Sequence, residues 1–130
     1  MKAIDLMIGD WVQLTDPIND KEMTKVEEIH HDGYITVDGA ITKMFEPIPL
    51  TPEILLKNGF KQRKQGGVVQ YILTADYYDV YVTEYPDGWW LVEYEDSERG
   101  GLPTERIAVR NIHQLQSAFK LFGIEKEIEI

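Results

Sequence analysis

Carboxylates are the commonest reactive groups in this chain, where Asp and Glu outnumber Lys and Arg by 23 to 13. Asp76, Asp79, Glu84, Glu93, Glu95, Asp96, Glu98 and Glu105 crowd its second half. Paired carboxylates can do acid–base chemistry or bind a divalent cation. These are scattered along strands and loops without calcium-loop spacing, so a solvated face explains them better. Asp79 and Glu95 oppose each other across a hairpin, which costs stability unless both are solvated. His30, His31 and Asp32 are metal ligands by type. Neighbours on a hairpin tip diverge, however, and a metal needs further convergent ligands. His113 is the sole other histidine. No acid, nor Ser117, stands at a spacing that would partner His113 in nucleophilic catalysis. Gly66-Gly67 lacks the Lys-Ser/Thr of a phosphate loop, and Gly100-Gly101 runs into Leu102-Pro103. The residues therefore predict no catalytic group, no metal centre and no cofactor. A carboxylate–metal enzyme would need three acids converging in one cleft.

Aromatic and basic residues offer binding instead. Tyr77, Tyr81, Tyr85 and Trp89 fall on one side of a predicted hairpin. Rings on an open strand surface stack on bases or sugars and are favoured in protein interfaces. The plainer alternative is that another layer of the fold covers them. Lys57, Lys61, Arg63 and Lys64 form the one basic cluster, read as a helix end followed by a polar loop. It gains meaning only beside the aromatics. The net charge of −10 opposes non-specific binding to nucleic acid or anionic membrane.

The elements that must hold these residues are organised around Glu46–Phe60. Pro47 and Pro49 stiffen a connector. Thr51 is a good N-cap, Pro52 fits the first helical position, and Glu53 suits the helix dipole. Gly59 fits the left-handed position after the helix, with Phe60 folding back on Leu55. A helix of about two turns is predicted over Pro52–Asn58. It is too short to stand alone. Ile54, Leu55 and Phe60 are therefore expected to bury against both flanking regions.

Before this connector, residues 1–46 read as short strands separated by turn residues. These are a strand after Gly9-Asp10, one over Thr24–His30, Tyr34–Val37, and Ile41–Phe45. His31-Asp32-Gly33 and Asp38-Gly39 are the hairpin turns. After it, Val68–Thr74, Tyr77–Tyr85, Trp89–Glu95 and Glu105–Val109 are strands, with a loop from Asp96 to Pro103. Pro86-Asp87-Gly88 suits a type I turn with a bulge at Gly88. That register opposes Val82 to Val92 and Val80 to Tyr94. It gives a core face of Tyr78, Val80, Val82, Trp90, Val92 and Tyr94. Asn111 and Gln114 cap a last helix carrying Ile112, Leu115, Ala118, Phe119 and Phe122 as its apolar stripe, with His113 off that stripe. Gly123 ends it. The alternation over Ile124–Ile130 predicts a half-buried edge strand.

Gly9-Asp10-Trp11-Val12, followed by Val26–Ile29 and the Tyr34–Val37 hairpin, resembles the SH3-like barrels of KOW-type domains. The connector from Pro47 to Phe60, with His113-Gln114-Leu115-Gln116 and Gly123-Ile124-Glu125, resembles a family of small proteins of gut bacteria, often carried in prophages and mobile elements. That resemblance implies a phage-related context but supplies no activity or site residues.

The expected fold is α+β. An SH3-like β-barrel spans 1–46 and a connector with a short helix spans 47–60. An antiparallel sheet with one helix and an edge strand spans 61–130. No apolar run approaches the roughly 18 residues of a membrane span. Absence of cysteine and of a basic-then-apolar leader suggests a cytoplasmic protein. The expected function is a non-enzymatic module that binds a protein partner. The alternative is a nucleic-acid-associated accessory protein using the barrel and the basic residues.

Overall fold

A computed structural model describes residues 6–96 and 103–130, except the side chains of 103 and 104. Of the loop expected from Asp96 to Pro103, the two end residues are in strands, and 97–102, with Glu98, lie outside the described residues. The chain forms two compact units: Met1–Ile48 with Asn111–His113, and Pro49–Arg110 with Gln114–Ile130.

The first unit contains β1 (Trp11–Leu14), β2 (Met23–Lys25), β3 (Glu28–Ile29), β4 (Ile35–Val37), β5 (Ala40–Thr42) and β6 (Phe45–Pro47). These make two antiparallel three-stranded sheets, ordered β2-β1-β6 and β3-β4-β5. Among the described residues, pairing does not close them into a barrel. The single strands expected over Thr24–His30 and Ile41–Phe45 are each divided, because the chain crosses from one sheet to the other within them. At the first crossing, Val26 is buried. Its N–H donates to Asp10 O at 2.9 Å, and its carbonyl accepts from Gly9 N–H at 2.7 Å. The Gly9-Asp10 turn therefore fastens the bend. Gly9 takes φ +92° and the buried Asp10 accepts from Met7 N–H at 2.7 Å. Val12, Leu14, Val26, Ile35, Val37 and Phe45 share the core with Leu6.

The second unit is a five-stranded antiparallel meander, β7 (Lys61–Gln65), β8 (Val68–Thr74), β9 (Tyr78–Glu84), β10 (Trp90–Asp96) and β11 (Pro103–Val109). Val82 pairs with Val92 and Val80 with Tyr94, as the hairpin register requires. The turn differs from a type I turn with a bulge. Asp87 (φ +65°) joins Gly88 (φ +79°) in the left-handed region, which Asp tolerates better than most residues. The inner face buries Val80, Val82, Trp90 and Val92 with Tyr71. Tyr78, Tyr94 and Phe122 form a ring chain with centroids 5.8 and 5.2 Å apart. It ties the end of α2 (Ile112–Leu121) to the sheet.

Helix α1 (Pro52–Lys57) follows its sequence signals. Thr51 Oγ1 accepts from Ile54 N–H, and Phe60 N–H donates to Leu55 O around Gly59. Leu55 is fully buried, Ile54 half-buried and Leu56 exposed. Phe60 stacks on Phe119 at 6.3 Å. Helix α2 ends in the same way, with Ile124 N–H donating to Phe119 O around Gly123.

Beyond α2 the burial alternation over Ile124–Ile130 is present, with Ile124 and Ile128 buried and the glutamates exposed. The segment is not an edge strand, however. Side-chain amides replace the ladder. Gln116 donates to Lys126 O and accepts from Ile128 N–H, at 2.9 and 2.7 Å. The buried Asn58 donates to Glu129 O and accepts from Glu129 N–H, at 2.7 and 2.8 Å. Each amide lends this segment one N–H donor and its oxygen as acceptor, as a strand residue does.

Leu55→Ala should cost about 2–5 kcal/mol in urea unfolding, and Leu56→Ala under about 1 kcal/mol. Asn58→Ala should cost about 2 kcal/mol, having removed bonds to both Ile54 and Glu129. It should also speed hydrogen exchange at the Glu129 amide.

Candidate functional site

The outer face of the five-stranded sheet carries most of the residues singled out for binding. Its rows follow from the register. Arg63, Gln70, Thr83, Leu91 and Ala108 stand side by side, as do Lys61, Ile72, Tyr81, Glu93 and Arg106. Thr74, Asp79 and Glu95 form a third row. Beyond the first row, Tyr85 N–H donates to Trp89 O at 2.8 Å and closes the hairpin.

The expected basic loop is strand β7. Gly66 (φ +59°) and Gly67 (φ +82°) supply the two left-handed residues of a tight hairpin, and Gln65 pairs with Val68. Lys61 and Arg63 thus share a face with Tyr81, about 10 Å away across β8. Lys64 points to the other face, and Lys57, at the end of α1, bonds the Ile130 carbonyl.

The four aromatic residues do not make one platform. Tyr77 precedes β9 and is 71% exposed. Tyr81 is half-buried, about 13 Å along the strand from Tyr85. Tyr85 and Trp89 are 49% and 41% exposed and adjoin at the hairpin end. The Arg110 guanidinium lies over the Trp89 ring, 4.3 Å from its centroid. Two shallow clefts of about 480 and 410 Å³ flank the Tyr85-Pro86 ridge. Val68 lines one, Leu91 and Ala108 the other. Arg63, Gln70 and Thr83 form a side-chain hydrogen-bond row beside them. Arg110 was obscured in the sequence because the β10–β11 register was open. Strand alternation past Ala108 would have put it on this face.

The two ends of the face differ in charge. Near the hairpin end, Arg63 and Arg110 accompany the rings. Toward the other end lie Asp79, Glu93 and Glu95. Glu93 pairs with Arg106 at 3.2 Å. Glu95 accepts a hydrogen bond from the Tyr81 hydroxyl. Burial, that bond, and the charges of Glu95 and Asp79 push the Tyr81 phenol up to about 12, against a smaller lowering by Arg63.

The histidines stand apart. His30 Nε2 bonds Thr36 Oγ1 at 2.9 Å, Asp32 accepts from Tyr34 N–H, and His31 is exposed on the same turn. His113, expected off the apolar stripe, is only 5% exposed; Ile112 and Leu115 beside it are buried too. Among the described residues, no three metal-ligating side chains converge.

A raised phenol favours the folded state while protonated. Tyr81 should contribute stability below its unfolded pKa near 10 that is lost as pH rises toward 12. Tyr81→Phe should remove a tyrosine step near pH 12 from the ultraviolet titration of the folded protein and flatten the loss of stability over that window.

The chain matches no family model, and neither a curated protein nor a solved structure matches it. No helix in the described residues is long and apolar enough to cross a membrane.

Proposed function

We propose that the protein is a non-enzymatic, cytoplasmic interaction module that grips a protein partner through the hairpin end of its outer sheet face. The observation that carries this reading is the cluster of exposed Tyr85 and Trp89 with Arg110 over the indole. Tyr, Trp and Arg are the residues that most often dominate protein–protein binding energy. The apolar clefts beside Tyr85 suit anchoring side chains of a partner. The first unit is read as an SH3-like barrel in an open form. Two three-stranded sheets over one core, between which the chain crosses twice, support that reading. The phage or mobile-element context rests on the sequence resemblance alone. A nucleic-acid reading draws support from Lys61 and Arg63 sharing the face with Tyr81. The carboxylates of Asp79, Glu93 and Glu95 on the same face weigh against it.

Trp89→Ala should weaken capture of the partner from native-host extract by about 2 kcal/mol, roughly 30-fold, while Tyr77→Ala leaves it unchanged. Capture indifferent to Tyr85→Ala and Trp89→Ala together, or turnover in a hydrolase and transferase screen, would refute the reading. Salt-dependent binding of DNA or RNA would favour the second one.

A further inference from the structure

A second surface, separate from Tyr85 and Trp89, is the open edge of the sheet. Strand β7 is terminal in the sheet order and all five of its residues are exposed. One row of its backbone N–H and C=O groups therefore faces away from the sheet, where another strand can add. Lys61, Arg63 and Lys64 occupy three of those five positions. On a chain of net charge −10, this is a local reversal of sign. Two copies of the edge laid together would oppose cations across the ladder, which is destabilising. The same cations favour carboxylates opposite them, so charge rejects self-pairing and selects an acidic strand. Alternation sends Lys61 and Arg63 to one face and Lys64 to the other. Carboxylates at every second position of an incoming strand can then meet both Lys61 and Arg63.

We propose that β7 is a docking edge for an extended acidic peptide, which adds as a sixth strand with alternate carboxylates against Lys61 and Arg63. The probe is a fluorescent peptide of alternating threonine and glutamate, about eight residues long. Its control has the same sequence with alternate backbone nitrogens methylated, so that it keeps the charge and loses ladder donors. Fluorescence anisotropy should show binding that weakens with salt. Affinity should fall at least about tenfold for the methylated peptide and for K61E/R63E/K64E. Amide shifts in the full-length protein should centre on Lys61–Gln65, and W89A should bind the peptide as the native chain does. No binding at low ionic strength, equal binding of the methylated peptide, or shifts centred elsewhere would overturn the proposal. Preference for a single-stranded oligonucleotide of equal charge would do the same. If the triple variant does not fold, the methylated peptide carries the test alone.

Discussion

The pairing of β9 with β10 decides what the second unit buries and what it shows. Side chains alternate between faces with a period of two, so a slip of one residue would exchange them all. Val82 opposite Val92 puts the valines, Trp90 and the Tyr78–Tyr94 pair inward. The same register turns Tyr81, Thr83, Leu91 and Glu93 outward. Two left-handed residues, Asp87 and Gly88, hold the connection tight enough for Tyr85 to bond Trp89 directly. The exposed ring cluster is thus a by-product of the pairing that builds the core.

Polar side chains, the buried Asp10 and Asn58 and the half-buried Gln116, do a second structural task in this protein. Asp10 fixes the turn that the first crossing leans on, and Asn58 and Gln116 hold the last residues where no strand is available. These groups satisfy backbone atoms that apolar contact would leave unpaired. Ile124 and Ile128 supply the burial, and the two amides supply the direction.

Much of this was legible from local signals. The caps at Thr51, Gly59 and Gly123 need only their own neighbours, and so they could be read directly. The hairpin register followed from one turn and two alternating runs. Strand β7 is hidden in the sequence because Lys-Gln-Arg-Lys-Gln has no apolar alternation, and its pairing is owed to β8 and the diglycine turn. The crossings at Val26 and between β5 and β6 were hidden because a bend between sheets leaves the apolar pattern intact. The Ile124–Ile130 alternation marks a half-buried segment but not the absence of a strand ladder. Its partners, two amides far apart in sequence, left no trace in that pattern. Of the aromatic site, the outward direction was readable, but the split between Tyr81 and the Tyr85–Trp89 pair depended on the strand ends.

The outer sheet face carries its charges unevenly: Arg63 and Arg110 stand toward the rings, Asp79 and Glu95 toward the opposite end, and between them the Tyr81 row holds Lys61 and the Arg106–Glu93 pair. Such a surface has a dipole lying in its own plane. A body of mixed charge drifting toward it feels a torque before contact, within the Debye length of about 8 Å at physiological salt. Such a body would therefore arrive oriented: the sheet presents a compass needle, and its poles are strand ends.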